Sequence, residues 1–162
     1  MEKDKKNIER EVFDLLIKKK MTFASAESCT GGNIAHQITL IPGSSEVFRG
    51  GAVTYATPTK TKVLKVPAKT IERHGVVSRQ VVEAMAKGTR KLMEADLGIA
   101  TTGVAGPGGG TAQTPVGTVW IGIATPSGVS SQCFYFGKGR RKVINQATEA
   151  AYQMLHEALL QP

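Results

Sequence analysis

Apolar residues recur every three or four positions in four stretches of the chain, which is the pattern of amphipathic helices. These stretches are 7–20, 33–40, 78–95 and 140–160. Compact apolar runs between them predict strands at 22–25, 51–56, 97–102, 116–124 and 128–136. Ser78 is a good N-cap for the third helix, Pro58 begins a short helix that carries Lys60, and one or two helical turns are expected at 69–74.

The order of these elements favours an α/β fold in which helices cover both faces of a sheet. The last two strands are separated only by Thr-Pro-Ser at 125–127, which predicts a hairpin. We therefore expect a three-layer α/β/α domain with a mixed, mostly parallel sheet and one antiparallel hairpin. No repeat, low-complexity tract or linker divides the 162 residues, so a single domain over 1–162 is expected.

The net charge narrows the choice of partners. It is +8, from 21 Lys and Arg against 13 Asp and Glu, and much of the excess lies at 18–20, 60–65 and 138–142. Such runs are typical of solvated helix ends, and neither many aromatic residues nor a nucleic-acid-binding motif accompanies them. Nucleic-acid binding is therefore the minor interpretation, and a small phosphorylated substrate would equally account for a positive pocket.

The sequence also indicates where the protein is located and whether it binds a metal ion. No segment approaches the roughly 20 consecutive apolar residues of a membrane span, and the charged start lacks the apolar stretch of a secretory signal, so we expect a cytoplasmic protein with no membrane partner. The two cysteines and three histidines, Cys29, Cys133, His36, His74 and His156, match no metal-ligand spacing. We therefore expect no metal site.

The stretch S-A-E-S-C-T-G-G at 25–32 is the first candidate for chemistry. It follows a predicted strand and precedes a predicted helix, so it forms a strand-to-helix turn where a nucleophile and an anion-binding helix end would share one corner. Residues of the same types also form plain helix caps. The groups that this turn offers are a carboxylate, two hydroxyls, a thiol and two glycines: Glu27, Ser28, Thr30, Cys29, Gly31 and Gly32.

A glycine-rich loop at 103–115 is the second candidate. It has neither the Gly-Lys-Ser/Thr of a phosphate-binding P-loop nor the glycine spacing of a dinucleotide fingerprint. Its glycines would still allow successive N–H groups to face a phosphate or an oxyanion. A flexible surface loop is the alternative that composition leaves open.

A serine or cysteine nucleophile also needs a general base that takes its proton. A Ser-His-Asp triad stays open because its members can lie far apart in sequence, but the chain has no G-x-S-x-G elbow to anchor one. His36 lies seven residues from Cys29, about two helical turns away, so direct contact between them is not expected. A lysine can activate a serine hydroxyl when burial lowers its pKa. Lys60 is the best placed lysine, and Tyr55 could relay a proton to it or orient it, although an ordinary surface lysine remains the alternative.

Several motifs in a fixed order resemble the CinA C-terminal domain family. They are A-E-S-C-T-G-G at 26–32, P-G-S-S at 42–45, V-T-Y at 53–55 with Lys60, T-G-V-A-G-P-G-G-G at 102–110 and P-V-G-T-V-W at 115–120. The best-known members are nicotinamide mononucleotide deamidases. The resemblance implies a three-layer α/β/α fold, a stand-alone form without the companion N-terminal domain of longer members, and a homo-oligomer.

The resemblance also implies the reaction, which is hydrolysis of the carboxamide of nicotinamide mononucleotide by a Ser/Lys dyad without metal or cofactor. A nucleotide-binding regulatory module that does not turn its ligand over is the alternative. The catalytic set implied is Ser28, Lys60, Tyr55 and Ser45; Ser28 is preferred as nucleophile and Ser45 as an orienting or oxyanion group. The expected substrate-binding set is Glu27, Thr30, Gly31, Gly32, Thr102, Gly103, Gly106, Gly108, Gly109 and Arg140, with the 5′-phosphate on Arg140 and the glycine loop.

Overall fold

The predicted alternation of helices and strands is present in the computed structural model, which describes residues 7–162. The charged segment 1–6, on which the expectation about export depends, lies outside the described residues. The elements are α1 (Ile8–Lys19), β1 (Phe23–Glu27), α2 (Asn33–Thr39), β2 (Phe48–Val53), α3 (Thr57–Leu64), α4 (Ala68–His74), α5 (Arg79–Leu92), β3 (Leu97–Gly103), β4 (Thr118–Thr125), β5 (Gly128–Tyr135) and α6 (Arg140–Leu160). A short 3-10 turn, Ser44–Glu46, precedes β2.

Local capping explains where several helices begin. The Asn7 side chain accepts a hydrogen bond from the N–H of Arg10 at 3.1 Å, and the Ser78 hydroxyl accepts one from the N–H of Val81 at 3.3 Å. Both bonds satisfy N–H groups that have no partner inside the helix. The prediction of Ser78 as the N-cap of the third long helix is confirmed.

The five strands form one mixed sheet in the order β2-β1-β3-β4-β5. Strand β1 pairs in parallel with β2 and β3, whereas β4 is antiparallel to both β3 and β5. Four strands therefore point in the same direction, and β4–β5 is the expected hairpin. The carboxyl ends of β1, β2 and β3 meet at one edge of the sheet, which is where open α/β sheets bind their ligands.

Helices cover both faces of this sheet, as expected for three layers. On one face α1, α2 and α6 bury the larger core around Phe23, Ile121 and Tyr152, and the Tyr152 hydroxyl donates to the carbonyl of Ile34. On the other face α5, with α3 beside it, buries a smaller core around Met85. No helix among residues 7–162 has the length and apolarity needed to cross a membrane.

The strand limits differ from the sequence-based expectations because pairing sets them. Glu27 pairs with Val53, so β1 continues two residues beyond its expected end and the turn begins at Ser28. Phe48 pairs with Phe23, so β2 begins three residues early and also ends early. Tyr55 consequently lies in the connection after β2 and not at the strand end that the sequence predicted.

Close packing of α5 on β3 gives a test of the fold. A Cβ atom at Gly98 would overlap the carbonyl oxygen of Ala86 and lie 2.9 Å from the Cβ of Arg90. Because packed interiors do not yield easily, Gly98→Ala should lower the free energy of unfolding by about 1–3 kcal/mol, measured by urea denaturation.

Gly108→Ala is the matched control, since nothing lies within 4 Å of a Cβ at that position and its φ is not in the left-handed region. It should leave the unfolding midpoint unchanged. Equal stability of Gly98→Ala and wild type would contradict the close approach of the helix to the sheet.

Candidate active site

A cavity of about 510 Å³ opens at the sheet edge where β1, β2 and β3 end. Its walls come from the turn after β1, the segment from Tyr55 to Lys60, the α4–α5 connection, the glycine loop and the first residue of α6. A larger cavity, of about 680 Å³, lies between the β4–β5 hairpin and the end of α6 and contains none of the residues predicted for the site. The smaller cavity is the candidate active site because Ser28, Lys60 and Tyr55 all line it.

Ser28 and Lys60 meet on the wall of this cavity. The Lys60 Nζ lies 3.1 Å from the Ser28 Oγ, 2.5 Å from the carbonyl oxygen of Thr54 and 3.5 Å from that of Tyr55. Lys60 is fully buried, and none of the carboxylates among residues 7–162 lies within 4 Å of its amine. Lys60 is therefore not an ordinary surface lysine, which was the alternative that the sequence left open.

Burial lowers the pKa of Lys60 below its ordinary 10.5, because the interior solvates an ammonium poorly; the neighbouring Cys29 acts weakly in the opposite direction. In the structure the Lys60 Nζ donates to the Ser28 hydroxyl and to the two carbonyl oxygens. After losing one proton the amine keeps two N–H groups for the carbonyl oxygens, and its lone pair can accept the proton of the Ser28 hydroxyl. The geometry thus fits a base poised beside a hydroxyl nucleophile.

Cys29 also lines the cavity but is a poor rival to Ser28. Its side chain is 5% exposed, and burial raises the pKa of its thiol to about 12. A thiol with that pKa stays protonated at neutral pH, and the thiolate is the reactive form. His36 lies outside the cavity, in a shallow cleft beside α2, so it does not pair with Cys29 there.

Ser45 lies far from this chemistry. It belongs to the 3-10 turn that precedes β2, whereas the cavity lies beyond the other end of β2. Six strand residues at about 3.3 Å each separate the two by roughly 20 Å. The position of Ser45 therefore does not fit the orienting or oxyanion role predicted from the sequence.

Tyr55 and Arg140 meet at the mouth of the cavity. The Arg140 Nη2 donates to the Tyr55 hydroxyl at 2.9 Å, and its Nη1 donates to the carbonyl oxygen of Gly106 at 2.6 Å. Tyr55 offers Lys60 its carbonyl oxygen and not its hydroxyl, so the predicted proton relay through the phenol does not match this arrangement. The phenol instead holds the guanidinium.

The glycine loop forms a wall of the cavity, with Gly103, Gly106, Gly108 and Gly109 all lining it. A Cβ at Gly103 would lie 2.6 Å from the carbonyl oxygen of Thr118, and Gly106 and Gly109 both have φ near +86°, where other residues are strained. The Thr102 hydroxyl, also on the wall, donates to the carbonyl of Val76 at 2.9 Å. The shape of the loop thus requires glycine at 103, 106 and 109, whereas Gly108 has room for a side chain.

Four residues predicted to bind substrate lie outside the 510 Å³ cavity. The Glu27 carboxylate is buried and accepts hydrogen bonds from the chain itself, so it is not available to a ligand. Thr30, Gly31 and Gly32 do not line the 510 Å³ cavity; they border a shallow cleft that they share with Arg140 and Arg141. Only Arg140 belongs to both.

The sequence patterns did not indicate the wall formed by residues 74–77. His74, Val76 and Val77 all line the cavity, and the bond from Thr102 fixes the carbonyl of Val76 there. Their only local signal is a position between two helices, which many inert loops share. Among residues 7–162 no group of three or more His, Cys, Asp or Glu could hold a metal ion.

The chain is similar to several known proteins. The family model described as "CinA C-terminal domain" matches residues 5–159. A CinA-like protein of Flavobacterium psychrophilum is 49% identical over 146 residues, which are 90% of this chain and 35% of that protein. A nicotinamide-nucleotide amidohydrolase, PncC, of Shewanella oneidensis is 44% identical over 158 residues, covering 97% of this chain and 37% of that protein.

Solved structures show the same fold. The competence/damage inducible protein CihA of Agrobacterium tumefaciens superposes with a TM-score of 0.90 at 36% identity, over 99% of this chain and 100% of that one. A CinA superfamily protein of Klebsiella pneumoniae gives a TM-score of 0.90 at 35% identity, over 94% and 95% of the two chains. The chain spans little more than a third of the two curated relatives described above.

Proposed function

This chain belongs to the CinA C-terminal domain family, and from that premise we propose that it hydrolyses the carboxamide of nicotinamide mononucleotide to nicotinic acid mononucleotide and ammonia. The observation that carries the proposal is the 3.1 Å contact between the Ser28 hydroxyl and the buried Lys60 amine on the wall of the cavity. The name of the Shewanella oneidensis relative, a nicotinamide-nucleotide amidohydrolase, supports the choice of substrate.

In the proposed reaction Ser28 is the nucleophile and Lys60 is the general base. Neutral Lys60 takes the hydroxyl proton as the Ser28 Oγ attacks the carboxamide carbon, which gives a tetrahedral intermediate with a negatively charged oxygen. The Lys60 ammonium then gives its proton to the amide nitrogen, the carbon–nitrogen bond breaks and ammonia leaves. A serine ester of nicotinic acid mononucleotide remains.

Water completes the cycle. Lys60, neutral again, takes a proton from a water molecule that attacks the ester carbon, and the carbon–oxygen bond to Ser28 breaks as the proton returns to Ser28. The product acid releases its proton to the solvent and leaves as the carboxylate. We assign the stabilisation of the charged oxygen in both steps to backbone N–H groups of the turn after Ser28 and of the glycine loop.

Arg140 gives the cavity its specificity for a phosphorylated substrate. Its planar guanidinium stands at the cavity mouth, where Tyr55 and Gly106 already fix its orientation. A guanidinium matches phosphate oxygens with two parallel hydrogen bonds. We therefore assign the 5′-phosphate of the nucleotide to Arg140, with the N–H groups of the glycine loop beside it.

Arg140→Ala should raise the KM for nicotinamide mononucleotide by about 10- to 100-fold with little change in kcat, since a charge-assisted hydrogen bond to phosphate contributes about 1.5–3 kcal/mol. Initial rates of ammonia release at varied substrate concentration measure both constants. Lys138→Ala is the control, because Lys138 does not line the cavity. A fall in kcat at unchanged KM would contradict the phosphate assignment.

One assay tests the proposed function as a whole. Purified protein is incubated with nicotinamide mononucleotide in the presence of a chelator, and the amounts of ammonia and nicotinic acid mononucleotide are measured. We expect the two products in equal amounts. Thermal stabilisation by the nucleotide without ammonia release would favour the alternative of a regulatory nucleotide-binding module. The homo-oligomer and the cytoplasmic location stay predictions, and light scattering of the purified protein tests the first.

A further inference from the structure

The structure buries one carboxylate and one amine close to Ser28 in addition to the Cys29 thiol. Among residues 7–162, Glu27 is the only buried carboxylate, with 1% of its surface exposed, and Lys60 is the only buried amine. Lys60 has a place in the proposed reaction. Glu27 does not line the cavity and touches neither Ser28 Oγ nor Lys60 Nζ through a hydrogen bond. Because burying a carboxylate is costly unless donors surround it, its presence calls for a reason.

The Glu27 carboxylate accepts its hydrogen bonds from the segment that follows it in the chain. Its Oε1 accepts from the Thr30 hydroxyl at 2.7 Å and from the N–H of Ile34 at 2.9 Å, and its Oε2 accepts from the N–H of Ala35 at 3.2 Å. The Thr30 hydroxyl also lies 2.9 Å from that of Thr101 on β3. One side chain at the end of β1 therefore ties together the turn, the start of α2 and the neighbouring strand.

These bonds close the turn that carries Ser28. Ser28 follows Glu27 directly, and the two N–H groups that Glu27 holds lie seven and eight residues along the chain. Between them Gly31 and Gly32 have φ of +62° and +100°, a backbone course that few other residues adopt. A turn of this kind keeps its shape only where further contacts fix both ends.

We propose that Glu27 is a positioning residue for the reaction: its carboxylate fixes the Ser28 turn and thereby holds the Ser28 hydroxyl at the Lys60 amine. The inference rests on the proposed function for its kinetic test. It also explains why the start of α2 is not a phosphate site, since the protein's own carboxylate already accepts from the N–H groups of Ile34 and Ala35. The substrate phosphate is left to Arg140.

Glu27→Gln tests the inference with almost no change of volume. A carboxamide has one oxygen and one NH₂ group, so at least one of the three donors around it loses its acceptor. We expect kcat for ammonia release to fall about 10- to 100-fold, while KM changes less than about threefold because the walls that bind the substrate are untouched. Glu46→Gln, a carboxylate on the exposed 3-10 turn, is the matched control and should keep both constants.

Thr30 gives a second, gentler pair of variants. Thr30→Val removes the hydroxyl that joins Glu27 to Thr101 at nearly constant volume, and Thr30→Ser keeps it. Thr30→Val should lose several-fold in kcat and Thr30→Ser should restore most of it. If Glu27→Gln fails to fold, the comparison of Thr30→Val with Thr30→Ser tests the inference in its place.

Amide hydrogen exchange separates the positioning inference from the proposed function. In Glu27→Gln the amides of Ile34 and Ala35 should exchange at least about tenfold faster than in wild type, while the amides of β3 keep their protection. Wild-type kcat together with wild-type exchange at α2 would overturn the inference, as would a loss of kcat that follows global unfolding alone. A wild-type protein that releases no ammonia overturns the proposed function, and the exchange rates then still decide whether Glu27 fixes the turn.

Discussion

Ser28→Ala is expected to lower kcat/KM for ammonia release from nicotinamide mononucleotide by on the order of 10³-fold or more, because among residues 7–162 it removes the only hydroxyl hydrogen-bonded to the Lys60 amine. The folded structure should be unaffected, since Ser28 lies at the cavity wall outside the packed core. Nicotinamide mononucleotide should still bind, with calorimetry showing a dissociation constant close to that of wild type. The rate and the affinity together identify a group that acts in the transition state.

Two variants control for this result. Ser45→Ala should retain wild-type kcat and KM, because Ser45 lies at the other end of β2. Cys29→Ala should lose less than about tenfold, because a thiol with a pKa of about 12 is not an effective nucleophile at neutral pH. Near-normal ammonia release by Ser28→Ala, or a large loss in Ser45→Ala, would exclude the mechanism proposed here.

Lys60→Met is the second substitution with a large expected effect. It replaces the amine by an apolar side chain of similar length, so Ser28 loses its base, and we expect a fall in kcat/KM of about 10³-fold. Lys60→Arg should be equally inactive, since a guanidinium does not lose its proton in the accessible pH range. Substantial activity in Lys60→Arg would show that the group at this position does not act as a base.

The pH dependence of the wild-type enzyme follows from the same group. Only the neutral amine can accept the Ser28 proton, so kcat/KM should rise with pH along a limb whose midpoint is the pKa of Lys60 in the free enzyme. Burial lowers that pKa, so the midpoint should lie below the ordinary value of 10.5. In Lys60→Met the residual rate should lack this limb.

Stability should change with pH in a matching direction. Between the lowered pKa of folded Lys60 and the ordinary pKa of 10.5 in the unfolded chain, the unfolded state binds the extra proton, so the free energy of unfolding rises with pH across this window. Below the window the folded protein holds a buried ammonium. Lys60→Met should therefore gain stability relative to wild type most at low pH, with the difference shrinking as pH approaches 10.5; urea denaturation at several pH values measures it.

Much of the fold can be read from the sequence because its signals are local. Apolar spacing predicted every long helix, Ser78 marked the start of α5, and the Thr-Pro-Ser turn joined the strands of the hairpin. The family resemblance is confirmed by the match to residues 5–159. Each of these features depends on residues a few positions apart or on short motifs, so no knowledge of distant contacts was needed.

Three side chains show what such local signals could not provide. Glu27 was expected to face a ligand, yet the β1–β2 pairing extends β1 through Glu27 and its side chain is buried beneath the turn. Tyr55 was expected to serve Lys60, yet its hydroxyl meets Arg140, 85 residues away along the chain. Ser45 is closer than Ser28 to Lys60 in sequence, yet it lies at the opposite edge of the sheet.

The sequence by itself determined the order of the elements, the family and the two short segments that carry the Ser28 hydroxyl and the Lys60 amine. Only the tertiary structure decided that Ser28, and not Ser45, meets Lys60. Parallel pairing of β1 with β2 brings the carboxyl ends of both strands to one edge, and α3 then directs Lys60 back toward that edge to within 3.1 Å of Ser28. Burial of the amine, which lowers its pKa, is likewise a property of the packed chain and not of the residues around Lys60 in sequence.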